Sequence, residues 1–577
     1  MATIVRINIL GLLVLSFLEV AVPFNLDSQY PIVFEDPTVH PTRETYFGYS
    51  VLLYGSLNTK SWIMVGAPRA NSTYERHLNV NEPGVVYRCP FWPPQKCEPL
   101  LLDKTGNDKY KYRRMFFWDL KDGAWIGAAM DVQPGPNGRV VVCGPRWTNQ
   151  YYIYEREEFF ILGVCYWFEA EDDVIDGKAV KLLPLLNDDR VVKVRRVNTI
   201  FDFGVGQCGI SAHMPLKKGN EEVSELLLGA TGILNWRGGT VLYEDKDALP
   251  SGGFNKRSVA SPGDFANLYV PPSNPSPNNK LASFDYFGYQ VSSGYFFDEN
   301  ELWYATSAPR AANILGKVIF YKKSLDNIHR HIMVDTNHHV MGIQCGEYFG
   351  ASIAAGDINN DDYEDLIVGA PLYTIEGIPR ADMDFGYEEG RISIFFGSKT
   401  KKMKEVQIMG KARGARFGSA VSYLGDLDSD GFGEIAVGAP YENDGCGVVY
   451  IYSGSVNGII TKPVQQLFAH DTYPLLRGFG ISISPHPADI DRNGCTDVAV
   501  GAYKSGHVVV YRGRPVLRWK TKTPYSTPRL PRNATHINLF GACITYLGNY
   551  VPNNLTMAHI LDRWLDHSMH FGDSPYI

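Results

Sequence analysis

Gly356-Asp357-Ile358-Asn359-Asn360-Asp361-Asp362-Tyr363-Glu364-Asp365-Leu366-Ile367-Val368-Gly369-Ala370-Pro371 joins an oxygen-rich turn to a short apolar run. Oxygen-bearing side chains stand at Asp357, Asn359, Asp361 and Asp365, positions 1, 3, 5 and 9 of the turn, and Tyr363 at position 7 offers its backbone carbonyl. A hard cation such as Ca²⁺ takes six to eight oxygens at about 2.3–2.6 Å, and a tight loop supplies them from alternate residues. An EF-hand would put its last acid at position 12 and lie between helices. Here the last acid opens a β-branched run, so the turn joins two strands of a hairpin.

The pattern returns twice. Asp426, Asp428, Asp430, the carbonyl of Phe432 and Glu434 precede Ile-Ala-Val-Gly-Ala-Pro. Asp489, Asp491, Asn493, the carbonyl of Cys495 and Asp497 precede Val-Ala-Val-Gly-Ala-Tyr. A single acidic turn is ordinary on a protein surface; three at one place in a repeat point to bound cations. Glu434, longer than the Asp at its equivalents, is expected to loosen the sixth site.

The repeat runs through most of the chain. An aromatic or apolar residue followed by glycine recurs at Phe47-Gly48, Trp125-Ile126-Gly127, Phe203-Gly204, Phe287-Gly288, Phe349-Gly350, Phe417-Gly418 and Phe479-Gly480, the aromatics spaced by 78, 78, 84, 62, 68 and 62. Each is followed by a Gly-Ala-Pro-like turn and a closing strand such as Gly447-Val448-Val449-Tyr450-Ile451-Tyr452. Four-strand units cannot each bury an apolar face alone. Stacked round an axis they form an all-β, seven-bladed β-propeller. An open solenoid would need capping repeats. The segment before Phe47 instead offers one spare strand, Tyr30-Pro31-Ile32-Val33-Phe34, fit to complete the seventh unit beside Gly506–Tyr511 and clasp the ring. In the fourth unit the ligand positions fall on Tyr295, Phe297, Glu299 and Trp303. One carboxylate among three aromatics holds no Ca²⁺, so three sites are expected, in units five, six and seven.

Length and composition agree. At 577 residues, with 13% aromatics, 56 glycines and 35 prolines, the chain suits many short strands joined by turns. A net charge of −7 argues against nucleic acid as a partner, and no basic run suggests an anionic surface as one. Residues 1–23, with Arg6 followed by the apolar run Ile7–Leu18, read as a cleaved secretory signal, and no later run is long enough to span a membrane. Secretion makes the nine cysteines disulfide candidates. Cys89 pairs with Cys97 across a hairpin, and Cys143 with Cys165 around an aromatic-rich loop. Cys208, Cys345, Cys446, Cys495 and Cys543 keep no assigned partner. Asn71, Asn533 and Asn554 are glycosylation sequons.

Propellers with such loops also occur in secreted hydrolases, but the chain has no His-Glu-x-x-His motif and no Gly-x-Ser-x-Gly elbow. The 14 histidines do not cluster at a ligand spacing. No enzyme is expected.

The Phe-Gly and Gly-Ala-Pro ends of seven repeats, the start Phe24-Asn25-Leu26-Asp27, Val65-Gly66-Ala67-Pro68-Arg69, and Ala308-Pro309-Arg310 leading to Gly316-Lys317-Val318 resemble the FG-GAP head of an integrin α subunit of insect type. The likeness covers residues 24–515 as the propeller. Residues 516–577 resemble the opening of the following immunoglobulin-like thigh domain and are too few to close a sandwich. The resemblance implies an adhesion-receptor subunit at the cell surface, paired with an integrin β subunit and bound to an extracellular-matrix protein. A secreted truncated form that occupies β subunits, or another secreted FG-GAP protein, is the alternative. It also implies that the cations are structural, on the lower face, and that aromatics ringing the upper mouth cradle a basic residue of the β subunit by cation–π contact. Tyr46, Trp125, Phe203, Tyr286 and Tyr348 stand at or beside that position. Asp285 matches an acid that pairs with a ligand arginine in some relatives, the alternative being a solvated loop carboxylate. Cys208 lacks the upstream partner of the family pattern.

Overall fold

The computed structural model describes residues 25–38, 44–55, 61–112, 115–133, 138–153, 156–170, 179–186, 193–194, 199–200, 202–216, 225–244, 266–269, 281–323, 332–375, 387–516, 518–522 and 543–547. Seven four-stranded antiparallel sheets follow the seven repeats. Their first strands are Ser50–Gly55, Ala129–Val132, Cys208–His213, Val291–Gly294, Ser352–Gly356, Ala420–Gly425 and Phe479–Ile483. Each first strand packs against the first strand of the next sheet, and the seventh returns to the first. The ring is therefore closed, with the first strands lining its channel. The second strands, such as Asp365–Ala370, Trp303–Ala308 and Glu434–Ala439, are buried along their whole length. Flanked by a blade on each side, they read as unbroken small and branched apolar runs rather than as alternation.

The two sequence motifs are the two halves of one blade–blade contact. A Cβ built on Gly66, Gly229, Gly369, Gly438 or Gly501 would stand 1.9–2.1 Å from the carbonyl oxygen of Gly127, Gly288, Gly418, Gly480 or Gly48, respectively, in the following blade. The Phe-Gly glycines also take φ near +90°, a region closed to most side chains. Ser50, Ser211, Ser352 and Ser482 then donate to the carbonyls of Gly127, Gly288, Gly418 and Gly48. The last of each series crosses from blade seven to blade one and is built like the others.

This contact corrects the third repeat. Gly209 (φ +85°), not Gly204, lies against Cys143 and Cys165 of the preceding blade, and the carbonyl of Cys208 meets Gly163 just as that of Phe287 meets Gly238. Cys208 thus replaces the aromatic, and Phe203-Gly204 is a chance match five residues upstream.

The clasp forms as expected. Ile32–Glu35 pairs with His507–Tyr511, Ile32 opposite Val510 and Glu35 opposite His507. It is reinforced at Leu26, bridged to Gly513, and at Asp27, whose carboxylate meets the guanidinium of Arg514.

One sheet was not foreseen. Lys109–Tyr112, Met115–Leu120, Thr148–Ile153 and Arg156–Ile161 form an eighth four-stranded sheet, so the segment between Cys143 and Cys165 is a hairpin and not an aromatic loop. Its strands come from the connection between blades one and two and from the middle turn of blade two. At its base buried Asp119 accepts from buried Trp147 Nε1 (2.6 Å) and Lys121 Nζ (2.7 Å) and from half-buried Lys181 Nζ (2.6 Å). Burial opposes ionisation of Asp119, but the ammoniums of Lys181 and Lys121 override it and hold its carboxyl below the usual range.

Both expected disulfides are present, Cys89–Cys97 and Cys143–Cys165. Beyond the ring, Arg518–Lys522 pairs with Cys543–Leu547. The remaining thigh-like residues, the leader, Asn533 and Asn554 lie outside the described residues; Asn71 is exposed. Among the described residues no helix is long and apolar enough to cross a membrane.

Candidate cation loops and the upper face

Because strands alternate in direction, the hairpins between first and second strands of every blade share one end of the ring, the lower. The turns between second and third strands, and the blade-to-blade connections, share the upper end. The three acidic loops therefore lie on the lower face.

Their geometry repeats. The first acid of each loop accepts from the amides at positions 5 and 6: Asp357 from Asp361 and Asp362, Asp426 from Asp430 and Gly431, Asp489 from Asn493 and Gly494. The residue at position 5 accepts from the amide at position 7, Tyr363, Phe432 or Cys495. Positions 4 and 6 are left-handed in all three loops, by Asn360 and Asp362, Ser429 and Gly431, Arg492 and Gly494. The last acid is buried under the turn. Asp365 accepts from Ile358 and Gly397, Glu434 from Leu427 and Ser453, Asp497 from Ile490 and Gly513.

Ligand atoms of Asp426, Asp428 and Glu434 lie within 4.8 Å of one another, as do those of Asp489, Asp491 and Asp497. In the fifth loop Asn359 Oδ1 is a buried acceptor with no hydrogen-bond partner, while its Nδ2 donates to Asp361. Burial, then neighbouring acids, push Asp365 and Glu434 up to about 8 and Asp497 up to about 7, despite the amides that pull them down. Convergent carboxylates that resist ionisation and an orphaned amide oxygen fit a hard divalent cation. Glu434 belongs to the sixth cluster despite its extra methylene; its first strand carries one extra residue, a bulge at Leu424, which offsets the loop. In blade four the aligned positions are apolar core: Tyr295, Phe297 and Trp303 are at most 5% exposed, and Phe297 stacks edge-on against Trp303 at 5.1 Å.

On the upper face, Tyr46, Trp125, Tyr286 and Tyr348 each precede the Phe-Gly position with φ near +60°. Phe203 does not join them: it is 4% exposed in the apolar core, and Gln207 (φ 52°) holds its place. In blades one, two and four an arginine follows the Gly-Ala-Pro-like turn and covers the aromatic of its own blade, Arg69 over Tyr46 at 5.0 Å, Arg146 over Trp125 at 5.1 Å and Arg310 over Tyr286 at 5.0 Å. Tyr49, Tyr289, Tyr441 and Tyr503 extend the cluster and were missed. The signal was there, since Tyr49 and Tyr289 directly follow Phe-Gly. Tyr49 meets Trp125 at 5.8 Å and Tyr503 at 6.0 Å, and burial followed by the phenols of Tyr289 and Tyr441 pushes it up to about 12. Asp285 is not a solvated carboxylate: it is 7% exposed, and Oδ2 accepts from the Ala282 amide at 2.6 Å. Burial raises it despite the cations of Lys317, Arg237 and Arg310 nearby.

The FG-GAP repeat family matches residues 349–395 and 417–452. Integrin alpha-PS3 of Drosophila melanogaster is 32% identical over 500 residues, 83% of this chain and 42% of that protein. Integrin alpha-PS5 of the same fly is 32% identical over 485 residues, 82% and 41%. Integrin alpha-V of Gallus gallus is 32% identical over 517 residues, 88% and 44%. The chain thus spans less than half the length of these relatives. A solved structure titled "Structure of Dos1 propeller" aligns at a TM-score of 0.37 and 9% identity, over 83% of this chain and 94% of that one, too distant to add to the fold seen directly. With FG-GAP repeats and 32% identity to integrin α subunits over more than four fifths of its length, the chain is an integrin α homologue and not an enzyme.

Proposed function

We propose that the chain is the ligand-facing head of an adhesion-receptor α subunit, docking an integrin β subunit through its upper face and binding an extracellular-matrix protein with it. The observation that carries this is the aromatic mouth itself. Tyr46, Tyr49, Trp125, Tyr289, Tyr348, Tyr441 and Tyr503, from six of the seven blades, gather at one end of the channel, where a basic side chain of a partner can enter. Disulfides and the exposed sequon at Asn71 support an extracellular setting.

On the lower face, Asp357, Asn359, Asp361 and Asp365, then Asp426, Asp428, Asp430 and Glu434, then Asp489, Asp491, Asn493 and Asp497 would hold three Ca²⁺ ions, with the carbonyls of Tyr363, Phe432 and Cys495. Bound there, Ca²⁺ supplies charge that lets the buried acids ionise and locks the hairpins. The residues themselves set the turn, through the amide bonds to the first and last acids. The docking reading is tested by co-precipitation with a recombinant integrin β head. Wild type captures it; Trp125→Ala with Tyr348→Ala weakens capture at least about 10-fold. Equal capture by both forms, or none by wild type, ends it.

A further inference from the structure

Blades seven and two are not neighbours in the ring, so a side-chain contact between them can only cross the channel. His486, on the turn after the first strand of blade seven, makes that crossing: its Nε2 lies 2.8 Å from Asp131 Oδ1 on the first strand of blade two. Asp131 is 2% exposed. His213 stands at the same repeat position in blade three, four residues beyond the glycine, and its Nδ1 is 3.3 Å from Asp131 Oδ2. One donor atom from each of the three lies within 4.8 Å of the others.

The surrounding contacts hold this set in place. Asp131 accepts from the amides of Val132 (2.9 Å) and Met214 (2.7 Å). His213 Nε2 meets Ser293 Oγ of blade four at 2.8 Å, which orients the ring and turns Nδ1 inward. We propose that Asp131, His213 and His486 form a transition-metal site of the zinc class at the lower mouth of the channel, distinct from the three acidic loops.

The donors decide the class. Two imidazoles and one carboxylate favour zinc or its neighbours over Ca²⁺, which takes oxygen ligands only. Ligand atoms at about 2.0–2.1 Å from a tetrahedral zinc stand about 3.3 Å apart, so donor atoms gathered within 4.8 Å of one another need to close by no more than about 1.5 Å to hold one. Three protein donors leave a tetrahedral ion one further position, for water or another ligand. The serine behind His213 and the amides behind Asp131 supply the outer hydrogen bonds that such ligands carry. A bound ion would tie blades two, three and seven through the axis of the ring.

The full chain, saturated with Ca²⁺, is titrated with Co²⁺ and then with Zn²⁺. One equivalent of Co²⁺ should give visible ligand-field absorption that Zn²⁺ abolishes, and X-ray absorption of the zinc-loaded protein should read two imidazoles per metal. His213→Gln and His486→Gln should each lower Co²⁺ affinity at least about 100-fold, and Ser293→Ala about 10-fold. Asp357→Asn with Asp361→Asn should leave the cobalt signal unchanged. No one-equivalent signal, an oxygen-only shell, or equal binding by the histidine variants would show a purely hydrogen-bonded cluster and overturn the proposal. The wild-type spectrum decides the matter even if the variants fail to fold.

Discussion

The guanidinium of Arg416 lies 5.0 Å from the ring centroid of Tyr441, and the two have exchanged places relative to the other blades. In blades one and four the aromatic precedes Phe-Gly and the arginine follows the proline, as in Tyr46 with Arg69 and Tyr286 with Arg310. In blade six Arg416 precedes Phe417 and Tyr441 follows Pro440, yet the stacking distance is unchanged. In blades one, two, four and six the pair is kept while the identity at each position is not. Arg416→Ala should cost about 0.5–1 kcal/mol, as for a cation–π contact near solvent, and Arg416→Tyr combined with Tyr441→Arg should recover most of it. Urea unfolding of the four-member cycle measures this; additive losses in the double variant would refute the exchange.

The glycine contacts between blades set a second expectation. Gly369→Ala drives a methyl to 2.1 Å from the Gly418 carbonyl, a backbone atom that cannot step aside. A loss of about 1–3 kcal/mol or more is expected, seen as a lower Tm. Gly123→Ala is the control for space, since a Cβ there meets nothing within 4 Å; its cost comes only from φ +60°.

Calcium and pH should act on the same three acids. Asp365 and Glu434 at about 8, and Asp497 at about 7, lie above their unfolded values in the ion-free protein. The folded state then binds more protons than the unfolded one, so stability is greatest at low pH and falls as pH rises from about 4 to 8. Chelated protein should melt higher at pH 5 than at pH 8, and Ca²⁺ should raise Tm most at pH 8. Asp119 of the eighth sheet, and Asp103, which shares the Lys181 ammonium with it, are both depressed and lose their contribution only below about pH 4, outside this window. A chelated protein that gains stability toward pH 8 would contradict the assignment.

Glu347 and Arg391 form a bidentate pair, both bonds 2.8 Å and both side chains fully buried. Glu347→Ala leaves the buried guanidinium with only Ser393 and the half-buried Glu405 at 3.8 Å, and should cost about 3 kcal/mol, whereas Glu347→Leu with Arg391→Met should cost clearly less. Chemical denaturation distinguishes the two.

The parts of this fold legible in sequence are those where one residue type has one physical task. Glycine between blades, acids at alternate turn positions and a spare β-branched strand each declare themselves locally. Cys208 did not, because a buried thiol fills the aromatic's place in blade three while Phe203, packed in the core nearby, offers a decoy Phe-Gly. The eighth sheet was hidden for another reason: its inner strands, Met115–Leu120 and Thr148–Ile153, pair across a whole first strand of blade two. Asp131, His213 and His486 lie still farther apart in the chain, and only closure of the ring brings them together.

That closure joins Phe34 to Val508 and Asp27 to Arg514. A ribosome must therefore finish nearly the whole head before the first and last blades can meet. Until Tyr511 emerges, the flank of blade one, Gly48 and its neighbours, stays uncovered. A mutation in the last repeat would therefore be felt first as a blade one left without its neighbour.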